Sequence, residues 1–225
     1  MRRYIDFWIK GEDYETAIGL LEEIKELGFS GAVMELKDVL LERFDELRKA
    51  SEEIGVKIHR KLVIAPKSRK ELLSILRNNR GRFEVITVIC KNLEVALVAA
   101  RDSRVDSLII PPRPRFRIDK GVASLLRNRV ELPFSFFLKD KQAFLEIALN
   151  IVKAFGEKVE LIVSSGASDK LGLRGPSSLA SLLQVLGYDR EKALDSVSKV
   201  PEMILETNLL KLSKRYVARG VIKLD

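Results

Sequence analysis

Seven times along these 225 residues a short, almost unbroken apolar run is followed by a segment with apolar side chains at helical spacing. That alternation limits the fold more than any single motif. Runs apolar on both faces suit parallel strands buried between other layers, and helices are the usual crossovers between such strands. The runs lie at 4–9, 31–36, 56–64, 84–90, 107–110, 132–138 and 159–164. Punctuation agrees with them. Asp13, Ser68, Asn92, Asp119 and Asp140 stand as caps ahead of helical segments, and Gly28, Gly55 and Gly156 stop others. Pro111-Pro112 ends the fifth run because neither residue can donate to a ladder, and Gly175-Pro176 opens a helix after the seventh. Helices from about Asp189 and from Pro201 towards Leu212 follow, each expected to bury its own apolar face.

Seven such units exceed what most open doubly wound sheets use, so the expected fold is an α/β TIM-like barrel, irregular or seven-stranded, with extra C-terminal helices. Residues 217–224 are the one stretch left for an eighth strand. A doubly wound open sheet is the alternative. No Ser/Gly/Pro-rich linker divides the chain, which predicts a single domain spanning 1–225. Cys90 is the only cysteine, so there is neither an internal disulfide nor a thiolate cluster, as expected in a reducing cytosol. No apolar stretch approaches a membrane span, so the expected location is cytoplasmic, without a membrane partner.

In a barrel, the loops after the strands gather on the C-terminal rim, where function sits. Here they carry Lys10, Lys67, Arg69, Lys70, Lys91, Arg113, Arg115, Arg117, Lys120, Lys139, Lys141, Lys170 and Arg174. Carboxylates there are fewer, chiefly Glu12, Asp38, Asp119 and Asp140, and several suit helix caps better. With 40 Lys+Arg against 32 Asp+Glu, the net +8 is expected to concentrate on this rim and favour a polyanion. Its densest piece is Pro111-Pro112-Arg113-Pro114-Arg115-Phe116-Arg117, in which prolines extend the loop, arginines lack local acidic partners before Asp119, and Phe116 offers a face to an unpaired base.

Catalytic constellations are poorly represented. His59 is the only histidine, in the third strand, which excludes a histidine metal cluster. Cys90 reads as a buried thiol, and Glu35 as a salt-bridge partner for a rim lysine rather than a base. The stretch 161–180 combines a strand end, the small-residue turn Ser164-Ser165-Gly166-Ala167, Lys170, Arg174 and a helix start, a place for an anion. One reading is therefore a barrel enzyme for a phosphorylated small molecule, with this turn on phosphate and Glu35 or Lys61 as acid/base.

The C-terminal third carries a resemblance. Ser164-Ser165-Gly166-Ala167, Leu173-Arg174-Gly175-Pro176, Leu179-Ala180, Leu186-Gly187, Val197-Ser198 and Pro201-Glu202-Met203-Ile204-Leu205 resemble the ribonuclease P protein component 3 family, the archaeal relatives of the eukaryotic thirty-kilodalton subunit. Asp6 in the first strand and the loop 110–119 agree with it. The resemblance implies a barrel similar to metal-dependent PHP phosphoesterases, but where those place Asp-x-His-x-His this chain has Asp6-Phe7-Trp8-Ile9-Lys10. Both histidine ligands are replaced, so the shared fold does not carry the shared chemistry. A metal-dependent phosphoesterase is the weakest alternative. What the family implies is an RNA-binding, non-catalytic subunit supporting a catalytic RNA that removes the 5′ leader of precursor tRNA. No catalytic residue, metal or cofactor is then expected on this chain, and magnesium is expected on the partner RNA. The implied partners are ribonuclease P RNA, precursor tRNA and a small ribonuclease P protein, in a heterodimer or heterotetramer. By motif match the RNA-contact candidates are Arg113, Arg115, Arg127, Arg129 and Arg174, to which the rim loops add Arg117 and Lys170.

Overall fold

Strands β1 (Ile5–Gly11), β2 (Gly31–Leu36), β3 (Lys57–Ile64), β4 (Val85–Ile89), β5 (Ser107–Ile109), β6 (Arg129–Pro133) and β7 (Leu161–Ser164) pair in parallel in chain order. The computed structural model describes residues 2–117, 120–156, 159–213, 216–218 and 221–223. Strand β7 returns to β1 at one end, where Ile9 bridges Ala167 and Lys10 N–H donates to Ala167 C=O at 2.8 Å. The sheet is therefore a seven-stranded, nearly closed barrel. A doubly wound sheet would reverse its strand order part-way, and this one does not.

Helices α1 (Tyr14–Glu26), α2 (Asp38–Glu42), α3 (Phe44–Ile54), α4 (Arg69–Asn79), α5 (Leu93–Ala99), α6 (Lys120–Leu125), α7 (Phe134–Lys139), α8 (Lys141–Phe155), α9 (Pro176–Val185), α10 (Arg190–Asp195) and α11 (Lys199–Leu212) complete the units. The expected caps act as written. Asp13 accepts from Thr16 N–H, Asn92 from Val95 N–H and Asp140 from Ala143 N–H, while Gly55 closes α3 in the left-handed region at φ +86°. Asp119 lies outside the described residues. Leu20, Leu21 and Ile24 of α1 and Phe144, Ile147 and Ile151 of α8 press on the outer faces of the strands in one continuous core.

A second layer lies inside the barrel. Ile5, Phe7, Val33, Val85 and Ile162 point inward and meet Val200, Ile204 and Leu205 of α11. Helix α11 thus lies across the N-terminal mouth and plugs it. Asn208 locks the plug, donating to Glu84 C=O at 2.9 Å and to Asp106 Oδ1 at 2.8 Å, while Arg80 and Ile86 N–H hold Asp106 Oδ2. Each fully buried aliphatic side chain adds roughly 1.5–3 kcal/mol to such a contact.

Three expectations need correction. The sixth strand is Arg129–Pro133 rather than 132–138: Pro133 has no N–H to extend the ladder, and Phe134–Lys139 turns into α7. The segment after β2, expected from the spacing of Leu40, Phe44, Leu47 and Ile54 as one helix ending at Gly55, forms two helices divided at Arg43. Finally, β8 (Tyr216–Ala218) and β9 (Val221–Ile222) form a separate antiparallel pair, so no eighth strand joins the barrel among the described residues.

Candidate nucleic-acid interface

The barrel axis is occupied by charge. Lys61 from β3 and Glu131 from β6 are both fully buried, with Nζ donating to Oε1 at 2.7 Å, to Oε2 at 2.8 Å and to Phe7 C=O at 2.7 Å. Three acceptors meet the three N–H groups of an ammonium. Burial draws the Lys61 pKa down and the Glu131 carboxylate pulls it back up. Glu131 also accepts from Ser164 Oγ at 2.7 Å and Ser107 Oγ at 2.9 Å, and Thr87 completes the ring through Ser107. This is a closed polar network with no spare donor for a ligand.

Above it, Trp8 and Lys10 stand at the two positions where the phosphoesterase pattern has histidines. Trp8 is buried, its Nε1 donates to Glu35 Oε2 at 2.8 Å, and Lys10 Nζ sits 4.6 Å from its ring centroid. Glu35 is therefore held by an indole rather than by the expected rim lysine. A metal does not fit these residues: an indole and an ammonium group stand in place of two donors, and the described residues contain no group of three or more His, Cys, Asp or Glu able to hold an ion. Cys90 is buried, with its thiol pushed up to about 12 by desolvation, and is inert. His59, whose pKa burial lowers, lines a recess at the plugged end, away from the rim.

The small-residue turn after β7 does not serve as a phosphate cradle. Ser165 N–H donates to Asp6 Oδ1 at 3.0 Å, Gly166 N–H to Trp8 C=O at 2.8 Å and Ala167 N–H to Ser165 Oγ at 3.2 Å. Its donors seal the β1–β7 seam instead. Gly166 is required there, at φ +62°, and a Cβ would come 2.4 Å from Ser135 Oγ and 3.2 Å from Pro133 Cβ. Gly166→Ala should cost about 2–4 kcal/mol through backbone strain and overpacking, read from urea unfolding. A loss under 0.5 kcal/mol, on the scale of an ordinary surface change, would mean the seam tolerates what the geometry forbids.

Both ends of the barrel carry cations. At the plugged end Arg2, Arg3, Arg80, Arg104 and Arg129 each pair with a carboxylate, Arg129 with Glu160 at 2.9 Å, while Arg82, Arg101 and Arg127 are exposed and have no acidic partner among the described residues. On the open rim Lys67, Arg69, Lys70, Lys91, Arg115 and Arg117 are exposed and have no acidic partner among the described residues. Rim carboxylates are spent on caps: Asp13, Asp140 and Asp169 each accept a helical N–H.

The sequence-predicted contacts consequently divide. Arg113, Arg115 and Arg117 share the loop after β5 on the open rim, though Arg113 pairs with Asp140 at 2.7 Å, a partner too distant in sequence to anticipate. Lys170 and Arg174 lie on the same rim after β7. Arg174 Nη1 donates to Leu171 and Leu173 C=O and its guanidinium lies 5.4 Å from the Phe134 ring centroid, so it holds its own loop. Arg127 and Arg129 precede or begin β6, at the opposite end. Phe116 is half-buried against the hydrophobic core rather than presented to a base. Sequence reasoning gave Lys67 and Lys91 no special place, yet they face Arg115 across one cleft.

The site thus combines a seven-stranded, nearly closed α/β barrel, an indole and an ammonium at the two positions where the phosphoesterase pattern has histidines, and a rim of exposed cations without acidic partners among the described residues. The chain belongs to the RNase P subunit p30 family, whose model matches residues 3–213. Among its relatives, a protein from Methanothermobacter thermautotrophicus named ribonuclease P protein component 3 is 27% identical, over 92% of this chain and 90% of its own length. One of the same name from Methanosarcina acetivorans is 26% identical, over 76% and 74%. The fold matches a chain in the cryo-EM structure of archaeal ribonuclease P with mature tRNA, with a TM-score of 0.81 at 24% identity, over 98% of this chain and 97% of that one. It also matches histidinol phosphate phosphatase from Lactococcus lactis, solved with zinc, L-histidinol and phosphate, with a TM-score of 0.54 at 13% identity, over 83% and 95%. The chain is a protein subunit of ribonuclease P, acting in tRNA 5′-end maturation.

Proposed function

We propose that this chain, folding as one barrel domain, serves ribonuclease P as an RNA-contacting subunit that performs no bond cleavage itself. The observation that carries this is the cluster of exposed cations on the open rim, Lys67, Arg69, Lys70, Lys91, Arg115 and Arg117, none with an acidic partner among the described residues. Unpaired Lys and Arg release counterions when they meet phosphates, and the gain lets a catalytic RNA fold and hold its magnesium at lower salt. The holoenzyme's chemistry then belongs to the RNA and its metal ions, with no cofactor on this chain. Its partners are the ribonuclease P RNA, precursor tRNA through that RNA, and a small ribonuclease P protein bound as a heterodimer or heterotetramer. No described helix is long and apolar enough to cross a membrane, and the proposed compartment is the cytoplasm.

The reading is tested by the salt dependence of binding to the RNA that copurifies with the tagged protein. Arg69→Ala/Lys70→Ala/Arg117→Ala should lower the slope of log K against log salt by about 2–3 and leave the fold intact. Arg129→Ala, at the opposite end and paired with Glu160, should leave the slope unchanged. Equal slopes for the rim variant and the parent would remove the rim as the RNA surface.

A further inference from the structure

Three rim loops converge on one cleft. Pro66 and Lys67 follow β3, Lys91 and Asn92 follow β4, and Pro111 to Arg115 follow β5, together enclosing about 480 Å³. That volume lies within the range of small-ligand pockets. Its walls are mostly apolar, supplied by Pro66, Pro111 and Pro114, and no carboxylate lines it. Lys67, Lys91 and Arg115 stand at its edges, exposed and without an acidic partner among the described residues.

The cleft is a built feature. Asn92 ties two of its loops together, accepting from Val95 N–H at 2.9 Å and donating from Nδ2 to Lys67 C=O at 3.1 Å. Its amide is thereby committed to the scaffold. Arg113, at φ +55°, is the one non-glycine with positive φ among the described residues, and it stands before Pro114, which disfavours helical backbone at that position. The Asp140 carboxylate holds it there at 2.7 Å. Beyond this kink, Pro114 and Arg115 line the same cleft as Lys91.

Apolar faces within and ammonium and guanidinium groups around the edge suit one base with its flanking phosphates. A duplex presents its phosphates on the outside and keeps its bases stacked, so it can bridge the lip but cannot fill the recess. We propose that this cleft receives a single unpaired nucleotide of the bound RNA, its base between the proline faces and its neighbouring phosphates on Lys67, Lys91 and Arg115. This rests on the RNA-binding reading and adds to it a preference for a bulged or looped nucleotide.

The test compares a hairpin RNA carrying one bulged 4-thiouridine with the same hairpin fully paired, both against the full-length chain at near-physiological salt. The bulged RNA should bind about tenfold tighter, equivalent to about 1.4 kcal/mol for seating one base between proline faces beside three cations. Ultraviolet crosslinking followed by peptide mapping should place the bulge on residues 66–67, 91–92 or 111–115. Lys67→Ala/Lys91→Ala/Arg115→Ala should abolish the bulge preference, whereas Arg69→Ala/Lys70→Ala/Arg117→Ala should weaken both RNAs equally and preserve it. Equal affinity of the parent for both hairpins, or a crosslink elsewhere, overturns the nucleotide cleft while leaving rim binding of RNA intact. Failure to bind either hairpin overturns both readings.

Discussion

Lys61→Met is expected to destabilise the protein by about 3–5 kcal/mol, because it leaves the Glu131 carboxylate buried on the barrel axis with hydroxyl donors alone. The ammonium it removes satisfies both carboxylate oxygens and Phe7 C=O at 2.7–2.8 Å. Removing the charge from both partners should restore most of the loss: Lys61→Met/Glu131→Gln is expected within about 1–2 kcal/mol of the parent, since a neutral amide no longer carries an uncompensated charge. Trp8, the only tryptophan, lies 5.3 Å from Lys61 Nζ by its ring centroid and reports the transition by fluorescence during urea unfolding. A single-variant loss below 1 kcal/mol, or a double variant no better than the single, would show that the pair does not organise the interior. RNA affinity measured below the unfolding transition should be unaffected, because neither side chain reaches the rim.

The second large effect concerns Asp6 and its dependence on pH. Burial pushes its pKa up to about 6 against an ordinary 3.8, even though Ser165 and Trp8 N–H groups and the Lys61 charge act the other way. Oδ2 has no hydrogen-bond partner. Because the folded state holds this proton more tightly than the unfolded state, the Asp6 contribution is constant below about pH 4. It then destabilises progressively as pH rises to about 6, and the penalty is fully present above that. At about 1.36 kcal/mol per unit the full penalty is about 3 kcal/mol. Asp6→Asn keeps an acceptor for Trp8 and Ser165 N–H and removes the charge, at the expense of an amide donor placed where Oδ2 finds no partner. It should raise stability at pH 7.5 by about 1–2 kcal/mol, after allowing about 1–2 kcal/mol for that donor. The difference between parent and variant should shrink as pH falls from 6 to 4. A variant less stable at pH 7.5, with a difference independent of pH, would show that the carboxylate is tolerated as an anion.

These two sites also mark where local sequence reasoning stops. Caps and stops could be read because each is a short-range device: Asp13, Asn92, Asp140 and Gly55 act within four residues of themselves. The barrel could be read from periodicity alone. What could not be read is pairing across the barrel. Glu131 breaks the apolar pattern of the sixth strand, and its justification, Lys61, stands 70 positions earlier. The apolar run Phe134, Phe136, Phe137 therefore resembled the strand, whereas the strand is the more polar Arg129–Pro133. Similarly, α11 has the makings of a peripheral helix, and only the ring of inward residues from β1, β2, β4 and β7 shows that it is a plug. The rim's basic character was legible as composition. Which cations remain unpaired was not, since Arg113 finds Asp140 and Arg129 finds Glu160 through tertiary proximity.

The seam between β1 and β7 has a consequence for the order of assembly. Asp6 meets Ser165 across 159 positions, and Ile5 N–H is held by Val197 C=O still later in the chain. A chain growing from its N-terminus therefore emerges with β2 available to β1 almost at once, but with the other edge of β1 bare until residues 164–167 and then Val197 have followed. Contacts of such span close slowly, and a bare parallel edge can pair with the wrong neighbour. The late-arriving turn at 164–167 and helix α11 act as the clasp and stopper of a vessel assembled open. Ribosome stalling or truncation before them should yield an aggregation-prone open sheet rather than a smaller barrel.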